Sequence, residues 1–193
     1  MSISIISLII FAIFMTGSPG PANLLMMMAG SSSLSFYRSV KFLFGLLIGK
    51  LFVHIIIGVG LGVFIVENKI IFEFLKYISS IYIIYLAFSS LKNISGTPNL
   101  SKFRFKNGLL VHPLSPKSWS MILLAQSQIS DLALSQFERS LIIWIIFTLG
   151  QIIFHSSWGI FGKILGKVFN DNIWVKRAIF GVTVLFVIWF LLT

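Results

Sequence analysis

The sequence predicts an all-α integral membrane protein of six transmembrane helices, arranged as two inverted three-helix repeats. Composition is the first reason: of 193 residues 57% are hydrophobic and only 10% charged, with a mean hydropathy of +0.99. Several apolar runs reach the ~20 residues that cross a bilayer. The second reason is where the charge lies. The net charge of +10 falls mostly in short connections between apolar runs, which marks membrane topology rather than a nucleic-acid surface. The third is that proline motifs interrupt the first and fourth runs at corresponding places. There is no Cys, which excludes disulfides, thiolate metal sites and thiol nucleophiles.

Taken in order, the first run is Ile3–Ala29. No basic segment precedes it, so a cleaved signal peptide is not expected. Within it, Thr16-Gly-Ser-Pro-Gly-Pro-Ala-Asn23 cannot continue an ordinary helix. Pro19 and Pro21 lack an N–H, and their rings clash with the carbonyls four residues back. In hydrocarbon such a break survives only where protein or a watery cavity satisfies the freed backbone groups. The later runs are Val40–Phe64, Ile71–Leu91, Phe105–Ile129, Ser140–Leu165 and Ile173–Leu192. Gly45, Gly49, Gly58, Gly60 and Gly62 in the second run are expected to permit close helix approach. The polar stretch 92–104 divides a first repeat (1–91) from a second (105–193).

Lys and Arg are richest in the odd-numbered connections: Arg38 and Lys41; Lys92, Lys102, Arg104 and Lys106; Lys163, Lys167, Lys176 and Arg177. Those connections are therefore expected in the cytoplasm, with both termini outside and the two halves inverted. A shift of 101 positions lays Gly49 on Gly150, His54 on His155, Gly58 on Gly159 and Lys76 on Arg177. Interrupted apolar segments at matching places in two inverted halves point to a central binding site.

The second interruption is His112-Pro-Leu-Ser-Pro-Lys-Ser-Trp119. Ser115 followed by Pro116 reads as an N-cap and a first helical residue; Ser18-Pro19 or Gly20-Pro21 offers the same start in the first run. Each half-helix would begin inside the membrane with unpaired N–H groups and a positive dipole end. Both breaks lie roughly 12–15 Å from the cytoplasmic loops at ~1.5 Å per residue, so they share one depth. Two such ends facing one cavity suit a carboxylate; the plainer reading is a pair of proline kinks that shape packing. The candidate binding residues are Ser18, Gly20, Pro21, Asn23, Ser115, Pro116 and Lys117.

Ionisable residues within the membrane are costly and are functional candidates. Lys50 and His54 lie one turn apart in the second run. Lys50 either holds an anion or stays neutral or snorkels. His54 and His155 either carry protons, since histidine titrates near neutral pH, or are hydrogen-bonded core residues. Lys117 at a helix start is electrostatically unfavourable, so it meets an anion or a partner or reaches back to the interface. Gln126 and Gln128 are expected to cap the outer end of the fourth run. Met26-Met27-Met28 point in three helical directions and read as packing rather than a soft-metal path. No metal site, cofactor or nucleic-acid partner is expected.

Thr16-Gly-Ser-Pro-Gly-Pro-Ala-Asn23, the Gly-rich second run with His54, Tyr82, Tyr85 and Leu86 in the third, and Pro113-Leu-Ser-Pro-Lys-Ser-Trp119 together resemble the lysine and homoserine/threonine exporter family, LysE. The resemblance spans essentially the whole chain. It implies proton-driven export of amino acids or similar small solutes across the bacterial inner membrane, with the bilayer and the substrate as partners; whether the protein forms a homodimer is left open by the sequence. The chain departs from the family pattern at Ala22, where an Asn is usual, and at His112 and Ser115, where Asn residues flank the second motif. His155 stands three residues before Trp158 in place of an Asp. The alternatives are a metal-cation exporter limited to histidine and methionine ligands, and an intramembrane enzyme. The latter lacks a nucleophile with an oriented base or paired carboxylates, so no enzymatic activity is expected.

Overall fold

The computed structural model describes residues 3–31, 36–91, 103–169 and 172–192. These residues form α1 (Ile3–Gly17), α2 (Pro21–Ser31), α3 (Phe36–Gly58), α4 (Gly62–Glu67), α5 (Lys69–Leu91), α6 (Phe105–Leu114), α7 (Pro116–Gln128), α8 (Gln136–Val168) and α9 (Ile173–Leu192), with no strand among them. The expected linker 92–104 lies outside the described residues apart from Phe103 and Arg104.

Three of these helices are long and apolar enough to cross a membrane, and the bent pair α1–α2 makes a fourth. Large apolar side chains such as Ile13, Phe14, Phe74, Ile81, Leu149, Ile153 and Leu185 stand on the outside. A surface of that kind suits lipid. The helix pair α6–α7 and α9 run over the stretches expected for the fourth and sixth runs.

Local chemistry sets the ends. Ser135 and Glu138 form a capping box at the start of α8: the Ser135 Oγ accepts from the Glu138 N–H, and the Glu138 carboxylate accepts from the Ser135 N–H at 2.8 Å. Both donors would otherwise be orphaned. At the other end of α3 the expected single run Val40–Phe64 is corrected. Gly60 takes φ +88°, and the Gly60 and Leu61 N–H groups donate to the Ile57 and Ile56 carbonyls at 2.9 and 3.1 Å. This is a glycine-terminated helix end, after which the short α4 starts anew. Gly60 therefore serves a turn, and a Cβ built on it would meet nothing within 4 Å. Gly45 and Gly49 do serve close approach: a Cβ on them would run into the Phe105 and Leu109 carbonyl oxygens of α6.

Two buried apolar clusters result. One is built around α2, whose residues Ala22–Ala29 are all buried, Met26, Met27 and Met28 among them, together with Phe42, Leu46 and Val111. A helix buried on every side is apolar all round. The other joins Leu8 and Ala12 of α1 to Val53, Trp119, Ile122, Ile143 and Phe147. The remaining buried residues include the polar set Thr16, Asn23, Lys50, His54, His112, Ser115, Ser118, Gln151 and His155.

Candidate functional site

Helix α1 ends at Gly17 and α2 begins at Pro21, and α6 ends at Leu114 before α7 begins at Pro116. Between α1 and α2 the axis bends by 49°, and the freed carbonyls find donors. Asn23 Nδ2 donates to the Thr16 and Ser18 carbonyls at 2.8 and 2.9 Å, and Trp158 Nε1 donates to that of Gly17 at 3.2 Å. Between α6 and α7, Ser115 adopts an extended backbone, Pro116 opens α7, and Trp119 Nε1 donates to the Pro113 carbonyl at 2.8 Å. The Ser115 side chain does not cap α7, which leaves the Lys117 N–H at a positive helix end.

The two breaks meet at one small cavity. Ser18, Gly20, Pro21, Asn23, Ser115, Lys117, Lys50 and His155 line it, joined by Thr16, His112, Ser118, Met121 and Gln151. Of the candidates from the sequence, Pro116 is buried and begins α7 without lining the cavity. His54 stands outside it, in the wall of a second cavity of about 520 Å³ between α3 and α8; its Nε2 has no hydrogen-bond partner. The central cavity offers about 30 Å³, room for a water or two and less than any amino acid needs. It shares no lining residue with the second cavity, or with a cleft of about 290 Å³ beside Gly30 and Lys163.

Among the described residues no carboxylate lines the cavity. Lys117 Nζ donates to Ser18 Oγ at 2.9 Å, so it joins the two breaks. Lys50, only 1% exposed, has soft neighbours: Nζ lies 3.5 Å from Met121 Sδ and 5.3 Å from the Phe147 ring centre. A buried ammonium without a carboxylate costs roughly several kcal/mol.

A chain of polar contacts crosses the site. His155 Nδ1 lies 2.6 Å from Asn23 Oδ1, Gln151 Nε2 lies 3.4 Å from His155 Nε2 and 2.9 Å from His112 Nε2, and His112 Nδ1 lies 2.8 Å from Ser118 Oγ. The two imidazoles stack with centroids 5.8 Å apart. Gln151 was not a candidate from the sequence. Its signal was available: an amide alone in an apolar run, one turn before His155. Gln126 and Gln128 do not cap their helix: Gln126 Nε2 donates to Ser140 Oγ of α8 and Gln128 accepts from Ser7 Oγ of α1. Tyr82 donates to the Asn107 carbonyl, tying α5 to α6 away from the cavity.

Neither a curated protein nor a solved structure matches this chain. The family model described as LysE type translocator matches residues 13–193. That match includes both proline motifs and every residue of the central cavity, and the apolar helices fit a multi-pass membrane protein. The chain belongs to the LysE type translocator family.

Proposed function

We propose that the protein is a secondary active transporter that exports small amino acids or their derivatives across the bacterial inner membrane, coupled to protons. The observation that carries this reading is the convergence of the α2 and α7 starts, Lys50 and Lys117 on one buried cavity without a carboxylate. Such a site has donors in excess and suits a substrate carboxylate. The same excess of positive groups disfavours a metal cation. Asn23 and Ser115 supply the remaining polar wall, and His155, with His54 beyond Lys50, offers imidazoles that can take up a proton.

An inverted repeat is part of the reading. Supporting it, Gly49 of α3 packs on Leu109 of α6, and its counterpart Gly150 of α8 packs on Thr16 of α1. Each glycine thus faces the first segment of the other half's broken helix.

Comparing extracellular amino acids with and without expression identifies the substrate. Export of that substrate should fall at least about tenfold in Lys117→Met, which keeps the length of the side chain and removes its charge; a charge-assisted hydrogen bond of ~1.5–3 kcal/mol predicts that scale. Lys117→Arg should retain part of it. Undiminished export by a correctly inserted Lys117→Met protein would overturn the site.

A further inference from the structure

The hydrogen positions in the polar chain follow from geometry. Asn23 Nδ2 faces two carbonyl oxygens, which only accept, so the amide nitrogen belongs there and Oδ1 faces His155. His155 therefore donates from Nδ1, and its Nε2 is bare while the ring is neutral. Gln151 meets that bare nitrogen with its own Nε2, and meets His112 Nε2 in the same way. Its two N–H groups thus hold two imidazole acceptors, and His112 donates from Nδ1 to Ser118. The Gln151 Oε1 is buried with no hydrogen-bond partner, which costs about 1–3 kcal/mol.

The orphaned oxygen gives the amide a second use. A solvent proton added to His155 Nε2 makes an imidazolium whose two nitrogens both donate. Asn23 Oδ1 still accepts at Nδ1, but the Gln151 N–H groups then face a donor. Rotating the amide by about half a turn presents Oε1 to the new N–H and satisfies both. The rotation also sets Oε1 against His112 Nε2, two acceptors, so the tie from α8 to α6 is lost. It is restored only if His112 moves its hydrogen from Nδ1 to Nε2 and Ser118 donates to Nδ1.

We propose that Gln151 is the positioning residue that carries the protonation state of His155 to the break between α6 and α7, by rotation of its side-chain amide. This rests on the proton-coupled reading above. The charged and titratable groups facing the pair are Lys50 and His54 on α3 and Lys117 on α7, while α1, α2 and α9 bring none among the described residues. Both lysines oppose a second positive charge. A substrate carboxylate beside them would favour it, so substrate and proton enter the same state.

The chain has three histidines, so nitrogen-15 histidine labelling of the full protein in lipid nanodiscs gives a spectrum assignable by single substitutions. In a titration from roughly pH 9 to 5 with a saturating amino-acid mixture present, His155 and His112 should begin as neutral Nδ1–H tautomers. His155 should then gain a second proton, and the His112 signals should change in the same step. In Gln151→Leu that linkage should vanish. In Gln151→Glu, nearly the same size and an acceptor at both oxygens, His155 should take its proton at least about one pH unit higher. Nε2–H tautomers at high pH, or linkage unchanged in both variants, would overturn the assignment. A wild-type pair that never titrates would remove the assignment and the coupling together. If the linkage is present but a pH gradient drives no amino-acid exchange in proteoliposomes loaded with an amino-acid mixture, the proposed function fails and the assignment stands.

Discussion

Asn23 and His155 were both legible as candidates from residue type and position, but their direct hydrogen bond was not. They stand 132 residues apart, and no local spacing encodes that contact. The structure also gives Asn23 a second duty, because its amide closes two carbonyls that the proline break frees. Asn23→Ala should therefore lower stability by on the order of 2–4 kcal/mol, since it orphans two buried acceptors and the His155 donor. Thermal unfolding in detergent measures this, and a variant as stable as wild type would show that water takes over those bonds. Lys117 is the cleaner residue for function, because its one described partner is the hydroxyl of Ser18.

At the scale of helices, the sequence pointed to interruptions at the two proline motifs through missing donors and clashing rings, and α1 and α2, like α6 and α7, are separate helices there. The end of α3 was hidden, because glycines in an apolar run signal close packing as readily as a turn; only the φ of Gly60 separates the two. Close packing is concentrated elsewhere. A Cβ on Gly162 would run into the Met27 backbone, and one on Gly30 into the Gly159 carbonyl, so α2 and α8 touch backbone to backbone. Gly162→Ala should destabilise by at least about 1–3 kcal/mol through overpacking. Gly181→Ala, which meets nothing within 4 Å, should stay within about 0.5 kcal/mol of wild type. Equal stability of the two variants would contradict the α2–α8 contact.

For the molecule as a whole, composition disclosed a membrane protein, and the family match agrees. What composition could not disclose is the size of the central cavity, which depends on how closely four helical walls approach. As the substrate site proposed above, the cavity of about 30 Å³ would have to enlarge before it admits a solute. The glycine-bearing seams of α2 with α8 and α3 with α6 lie at the end of the bundle that carries Ser31 and Phe105. At the opposite end α3 and α8 part around the cavity of about 520 Å³, and α1 meets α8 through side chains. A Cβ at Gly150 would stand 3.6 Å from that of Thr16, within disulfide range, and the chain has no cysteine of its own to interfere. Oxidised Thr16→Cys/Gly150→Cys should lose export, and reductant should restore it. A fully cross-linked protein that still exports would show that α1 and α8 need not separate.

The three cavities that share no lining residue have an electrical consequence. A carrier that spends an ion gradient must not also discharge it, and a continuous file of water through the bundle would conduct protons whether or not cargo moved. Lys50 and Met121 line the central cavity, with the Phe147 ring centre 5.3 Å from Lys50 Nζ, and the glycine seams close α2 on α8 and α3 on α6. On the proton-coupled reading proposed above, this arrangement would keep the protein an insulator at rest, with charge crossing only when the walls move.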